Sequence, residues 1–130
     1  YAAKYKEEIT MDNASCAAFV LTLMHSQTNA HILHLQTRSY AEHKALQGYY
    51  ESIDDLIDSY VEAYQGKYGI IEDYPVEYNP PMPPLEYMVG LSDYVASMRD
   101  SLPDDTELQN IVDEIDALID TTVYKLRFLK

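Results

Sequence analysis

The chain has 130 residues, 47% of them hydrophobic, which is enough to bury the core of one domain and too apolar for a disordered chain. Twenty-two acidic against nine basic residues give a formal net charge of −13, a field that argues against nucleic acid and anionic membrane as partners and that concentrates cations. A lone Cys16 excludes an internal disulfide framework and fits a reducing, cytoplasmic setting, and the longest apolar run, 17–24, is too short to span a bilayer.

Apolar residues at spacings of three and four predict an N-terminal tail over 1–11 and then four helices. The first covers 12–36, with Thr10 or Asp12 as its cap and Val20, Met24, Ile32 and Leu35 among its apolar positions. Ser39-Tyr40-Ala41-Glu42 has the form of a capping box that opens the second helix, 40–65, whose stripe is Leu46, Tyr50, Ile53, Ile57, Tyr60 and Tyr64. Gly66 is its expected stop. The stretch 67–84 then holds Pro75, Pro80, Pro81, Pro83 and Pro84, five of the six prolines, and reads as a long extended crossover. A third helix over 85–101 carries Met88, Leu91, Val95 and Met98. A fourth over 105–129, capped by Asp104 with Glu107, carries Leu108, Ile111, Ile115, Leu118, Val123 and Leu126, and its basic end (Lys125, Arg127, Lys130) suits the helix dipole. Two helical hairpins joined by one long crossover make a single all-α domain with the connectivity of ferritin-like four-helix bundles.

The second helix also bears a polar stripe of His43, Gln47, Glu51, Asp54, Asp58 and Glu62, within an arc of about 100° beside its apolar face. Five of these six residues can bind a metal ion. An acidic stripe by itself is usually a solvated face. This one, however, is symmetric about a midpoint between Ser52 and Ile53, which pairs His43 with Glu62, Gln47 with Asp58, and Glu51 with Asp54. His43 and Asp58 lie about 22 Å apart along one helix and cannot share an ion. An antiparallel copy related by a twofold near that midpoint sets His43 against Glu62 of its partner, so the stripe predicts two equivalent sites per dimer. His31, late in the first helix, can join His43 across the hairpin. His25 and His34 are weaker candidates, and His34 is left a supporting place behind the ligands.

The ladder His31, His43, Gln47, Asp58, Glu62 resembles the signature of the Dps (mini-ferritin) family, and the closing segment 123–129 is similar to that family's last helix. There is also a general likeness to short ferritin-like proteins carried by large tailed bacteriophages. The resemblance covers about 12–130 and is specific over 30–66. It implies a homo-oligomer, in that family a hollow dodecamer, with a ferroxidase centre between twofold mates. His31 and His43 would come from one chain and Asp58 and Glu62 from the other. Ferrous iron would be bound, oxidised by peroxide or dioxygen and stored, which protects against oxidative stress.

Three departures stand out: Gln47 replaces a metal-binding aspartate, Ile32 a tryptophan and Gln36 a glycine. The family's basic DNA-coating tail is missing too, since Lys4 and Lys6 are offset by Glu7 and Glu8. Tyr40, Tyr49, Tyr50 and Tyr60 suit electron donation or, more ordinarily, packing. Two other readings stay open: a structural or interaction protein with a degenerate site, which Gln47 favours, and a divalent-metal binder without redox turnover, for zinc.

Overall fold

The structure, a computed structural model, describes residues 2–76, 78 and 82–130, with residues 2–12 as helix backbone alone. Among the described residues there are four α-helices and no strand: α1 (Ala2–Gln36), α2 (Tyr40–Tyr68), α3 (Pro84–Met98) and α4 (Thr106–Phe128), with a 3-10 turn at Arg99–Ser101 closing α3. The all-helical expectation holds. Helix α1 begins well ahead of the start near residue 12, so most of the expected tail is helix backbone. The side chains of Lys4, Lys6, Glu7, Glu8, Thr10 and Asp12, like Pro80 and Pro81, lie outside the described residues.

Two helix ends differ from expectation for reasons of backbone chemistry. Helix α2 runs through Gly66 and stops at Gly69, whose φ of 96° is open to glycine and costly for other residues. The Gly69 N–H donates to the Gln65 carbonyl (2.9 Å), and the Gln65 side chain accepts from the Ile71 N–H (3.0 Å). Gly66 costs roughly 1 kcal/mol of helix propensity. Lys67 and Tyr68 just beyond it are anchored to Asp105, which favours the extra turn. Helix α4 is capped by Asp105, not Asp104. The Asp105 carbonyl takes the N–H groups of Leu108 and Gln109, while its carboxylate accepts from Lys67 and Tyr68. Those two hydrogen bonds, Lys67 first, hold the Asp105 carboxyl below its usual range.

At the start of α2 the capping box is relayed. Ser39 Oγ accepts from the Glu42 N–H (3.2 Å) as expected. Glu42 does not reach back to Ser39 itself: Thr37 Oγ1 accepts from the Ser39 N–H (3.1 Å) and donates to the Glu42 carboxylate (2.6 Å).

The contacts fix the arrangement of the helices. Helix α1 lies antiparallel to α2, with Asn13 at Tyr64, Ser26 at Tyr49 and His34 at His43. Helix α2 is antiparallel to α4, since Lys67 meets Asp105 at one end and a Cβ placed on Gly48 would meet Lys125 Nζ at the other. Helix α3 is antiparallel to α4 through Arg99 and Gln109, and to α1 through Thr22–Tyr94 and Asn29–Tyr87. The neighbours therefore run α1, α2, α4, α3 in a ring, with α2 and α3 parallel. The connection between them travels back along α1: Ile71 lies by Asn13, Pro75 by Thr22 and His25, Tyr78 by Asn29, and Pro83 by Leu33 and Gln36.

All four helices feed one core, which includes Phe19, Leu23, Leu46, Ile53, Met88, Leu108, Ile115 and Ile119. The sequence stripes on α2, α3 and α4 lead into it. On α1 the core face is Cys16, Phe19, Val20, Leu23, Ala30 and Leu33, and Met24 and Leu35, expected among the apolar positions, are exposed.

Candidate functional site

The α1–α2 hairpin gathers three of the four histidines. His34 is buried and its ring stacks on that of His43, with centroids 3.6 Å apart and an interplanar angle of 24°. The two are tied reciprocally, His34 Nδ1 to the His43 carbonyl (2.8 Å) and His43 Nδ1 to the His34 carbonyl (3.0 Å). A carbonyl only accepts, so both Nδ1 atoms carry hydrogen, and in the neutral ring the lone pair then sits on Nε2. A backbone carbonyl on one ring nitrogen is the usual way of preparing the other as a metal ligand or proton acceptor. His31, one turn before His34, is exposed; its ring stacks on Tyr50 at 4.2 Å and lies 5.9 Å from that of His34. Tyr50 also meets His34 edge-on at 5.2 Å. Among the described ring contacts, His31 and His43 are linked through His34.

His34 therefore stands at the centre of the cluster, its ring between those of His31 and His43 and its carbonyl holding His43 Nδ1. The sequence spaced His34 and His43 nine residues apart around the Ser39 cap, but their reciprocal bonds run to main-chain carbonyls, which residue types do not reveal. His25 lies elsewhere on α1, its ring edge-on to Tyr78 at 5.0 Å.

The carboxylates of the stripe follow α2 away from this cluster. Glu51, Asp54, Asp58 and Glu62 are exposed, and Gln47 Nε2 donates to the Glu51 carboxylate (2.8 Å). Asp58 and Glu62 are one turn apart on the same face, so they can chelate or bridge one ion. Helix geometry keeps Asp58 about 22 Å and Glu62 about 28 Å from His43 in the same chain. Among the described residues no three His, Cys, Asp or Glu side chains converge to hold a metal ion. One chain thus presents an imidazole end and a carboxylate end on a common helix, with the two apart.

Behind the site the helices are pinned by buried tyrosines. Tyr49 shares a hydrogen bond of 2.7 Å with Ser26, and the Tyr60 hydroxyl lies 3.7 Å from Cys16 Sγ. Asn29, fully buried, donates to Tyr87 (3.1 Å) and accepts from Tyr78 (2.7 Å), so one side chain holds both α3 and the α2–α3 connection. Of the tyrosines considered for electron donation, Tyr49 and Tyr60 are core, Tyr50 touches two histidines and Tyr40 is exposed.

Among the described residues the chain is thus all-helical, with four α-helices and a histidine cluster at one hairpin, and no described helix is long and apolar enough to cross a membrane. The model of a family of unknown function (DUF5856) matches residues 34–126, more than half of the chain, and the chain belongs to that family. No curated protein and no solved structure matches it.

Proposed function

We propose that this chain is a ferritin-like subunit of the Dps type, which binds ferrous iron at sites shared between twofold mates, oxidises it with peroxide or dioxygen and stores the product. The observation that carries the reading is the lock on His43, whose Nδ1–H is bonded to the His34 carbonyl so that Nε2 remains as a ligand. Three further features support it. The helix ring α1, α2, α4, α3, with a connection running back along α1, is the arrangement a ferritin-like crossover requires. Asp58 and Glu62 lie exposed on one face of α2, open to a second chain. Mixed imidazole and carboxylate ligands suit iron in both oxidation states.

Iron is the substrate here. His31 and His43 of one chain would bind it together with Asp58 and Glu62 from the mate, in twofold dimers that build a larger homo-oligomer such as a dodecamer. Those groups orient the ion; the carboxylates offset its charge as it loses an electron to the oxidant. Neutral imidazoles are needed, because a protonated ring nitrogen has no lone pair to give the ion. A second reading is favoured by the Gln47–Glu51 hydrogen bond. It places an amide where the resembled family has a ligand and ties up a neighbouring carboxylate. On that reading the chain is a structural protein with a degenerate site, or holds zinc without redox turnover.

The test is Fe²⁺ oxidation followed optically, with bound metal counted per chain. Glu62→Gln removes one charge with little change of shape. It should abolish oxidation while leaving helicity and assembly intact. Unchanged oxidation in that variant removes the shared site from contention, and no iron uptake by the parent protein shifts the reading to the structural one.

A further inference from the structure

The charge of this protein is strongly polarised. The antiparallel packing brings the end of α1, the 37–39 turn, the start of α2 and the end of α4 to one pole, with Lys125 lying beside Gly48. Five of the nine basic residues are there: Arg38, Lys44, Lys125, Arg127 and Lys130. Within 35–47 and 121–130 the only acid is Glu42. The rest of the chain carries four basic and twenty-one acidic residues. Two of those four, Lys67 and Arg99, are consumed in ion pairs with Asp105 and Glu107 and with Asp113 and Asp116. The five at the pole make no ion pair among the described residues.

Helix-end chemistry explains only part of this. Lys125 and Arg127 in the last turn of α4 complement its dipole. Arg38 precedes the cap of α2 and Lys44 follows its first turn, where the same dipole disfavours a cation. The pole is also where large apolar side chains face solvent: Leu35 (71% exposed), Tyr40 (76%), Tyr124 (54%), Phe128 (65%) and Leu129 (46%), with the Tyr124 and Phe128 rings 5.8 Å apart. Exposed aromatics ringed by unpaired cations are the make-up of an interface, with the apolar groups supplying affinity and the charges its direction.

We propose that this pole docks on the acidic outer face of α4 in a second copy of the chain, where Glu114 and Asp120 are exposed and make no ion pair among the described residues. Charge selects the occupant. A nucleic acid or an anionic membrane reaching the pole meets the repulsion of the much larger acidic remainder. A second copy instead offers that acidic surface as the complement. The contact joins two different patches, so it is heterologous and builds a ring or a filament, and it differs from the twofold at α2. It is independent of any metal.

Sedimentation velocity on the metal-free full chain tests it, at about 50 and 500 mM salt, since screening weakens rim charges. Self-association is expected at low salt and its loss at high salt, whatever the size of the species that persists at high salt. Arg127→Glu with Lys130→Glu, both exposed, should weaken self-association by about tenfold with unchanged far-UV circular dichroism. Adding Glu114→Lys and Asp120→Lys should restore it by exchanging the charges. Equal association by the parent and the reversed variant at low salt overturns the proposal. Weakening that the exchange fails to restore overturns α4 as the acceptor. Binding of duplex DNA or phosphatidylserine vesicles by the parent, lost on reversal, assigns the pole to a polyanion and overturns it equally. Iron chemistry is not measured here, so failure of the metal site leaves the outcome unaffected.

Discussion

Tyr49→Phe isolates one buried hydroxyl in two ways at once. Tyr49 and Ser26 are fully buried, and Ser26 Oγ already donates its proton to the Leu23 carbonyl (2.6 Å), so in the 2.7 Å contact Tyr49 is the donor. Removing the phenol leaves a fully buried Ser26 lone pair without that partner, a cost of about 1–2 kcal/mol at neutral pH. For a chain of this length that lowers Tm by roughly 3–8 °C. The second effect comes from titration. Burial pushes the Tyr49 phenol well above the usual tyrosine range; the bond to Ser26 pulls it the other way, and nearby Tyr87 adds to the rise. A folded value raised above the unfolded one means that stability is intact below the ordinary value near 10. It falls as pH rises from there toward the folded value, because only the unfolded chain releases the proton. The slope is about 1.4 kcal/mol per pH unit for one such group. Phenylalanine cannot ionise, so the variant escapes this loss, while the contribution of the tyrosines that do not interact with Tyr49 cancels between the two proteins. Urea unfolding followed by circular dichroism should therefore show Tyr49→Phe less stable at pH 7 and close to parity near pH 11. A deficit of the same size at both pH values refutes the assignment of the raised phenol to Tyr49, and no deficit at pH 7 refutes the buried donor.

Two further outcomes test local structure by chemical denaturation and NMR titration. Gly69→Ala should cost about 1–2 kcal/mol because of the positive φ there, whereas Gly66→Ala, inside α2 with open space about its Cβ, should gain up to about 1 kcal/mol; the reverse order would put the helix end back at Gly66. Arg99→Ala should cost about 1–2 kcal/mol by removing bonds to the Gln109 side chain and carbonyl and to Asp116. The same change should move the Asp116 carboxyl, already raised chiefly by desolvation and restrained by Arg99, further upward; an unmoved titration would show that Arg99 does not act on it.

The helices were legible because periodicity reports burial directly. Leu46, Ile53, Ile57, Tyr60 and Tyr64 were placed on one stripe of α2, and all are buried. Helix α1 departs from its apolar pattern: Met24 and Leu35 are exposed while Ser26 and Asn29 are fully buried. That helix packs α2 on one side and α3 on another, and tyrosine hydroxyls from both satisfy its buried polar groups, so its core face is not purely apolar. Helix ends slipped for a related reason: Gly66 is a good stop in isolation, but Lys67 and Tyr68 gain Asp105 from a distant helix. At the hairpin, spacing brought His31 toward His43, and it is the buried ring of His34 that lies between them. Its place depends on main-chain carbonyls, which only the fold supplies.

The proposed metal chemistry has a consequence for assembly. Helix α2 is continuous from Tyr40 to Tyr68, with no proline within it, so its imidazole and carboxylate ends cannot fold toward each other. A site that uses both ends exists only between chains, and the free energy of ion binding then adds to that of association. Each ion bound across the proposed twofold would stabilise the dimer by an amount set by its concentration relative to its dissociation constant. The exposed carboxylates Glu51, Asp54, Asp58 and Glu62 repel a facing copy of the same helix, and a cation bound between the copies offsets that repulsion. Gln47 acts in the opposite sense. Its amide occupies Glu51 within the chain and leaves the stripe one charge less negative than an aspartate there would, which on the proposed reading would ease approach of the mate without metal and weaken the hold on metal. On the proposed reading, that one residue would set the balance between an assembly that iron must complete and one that stands without it.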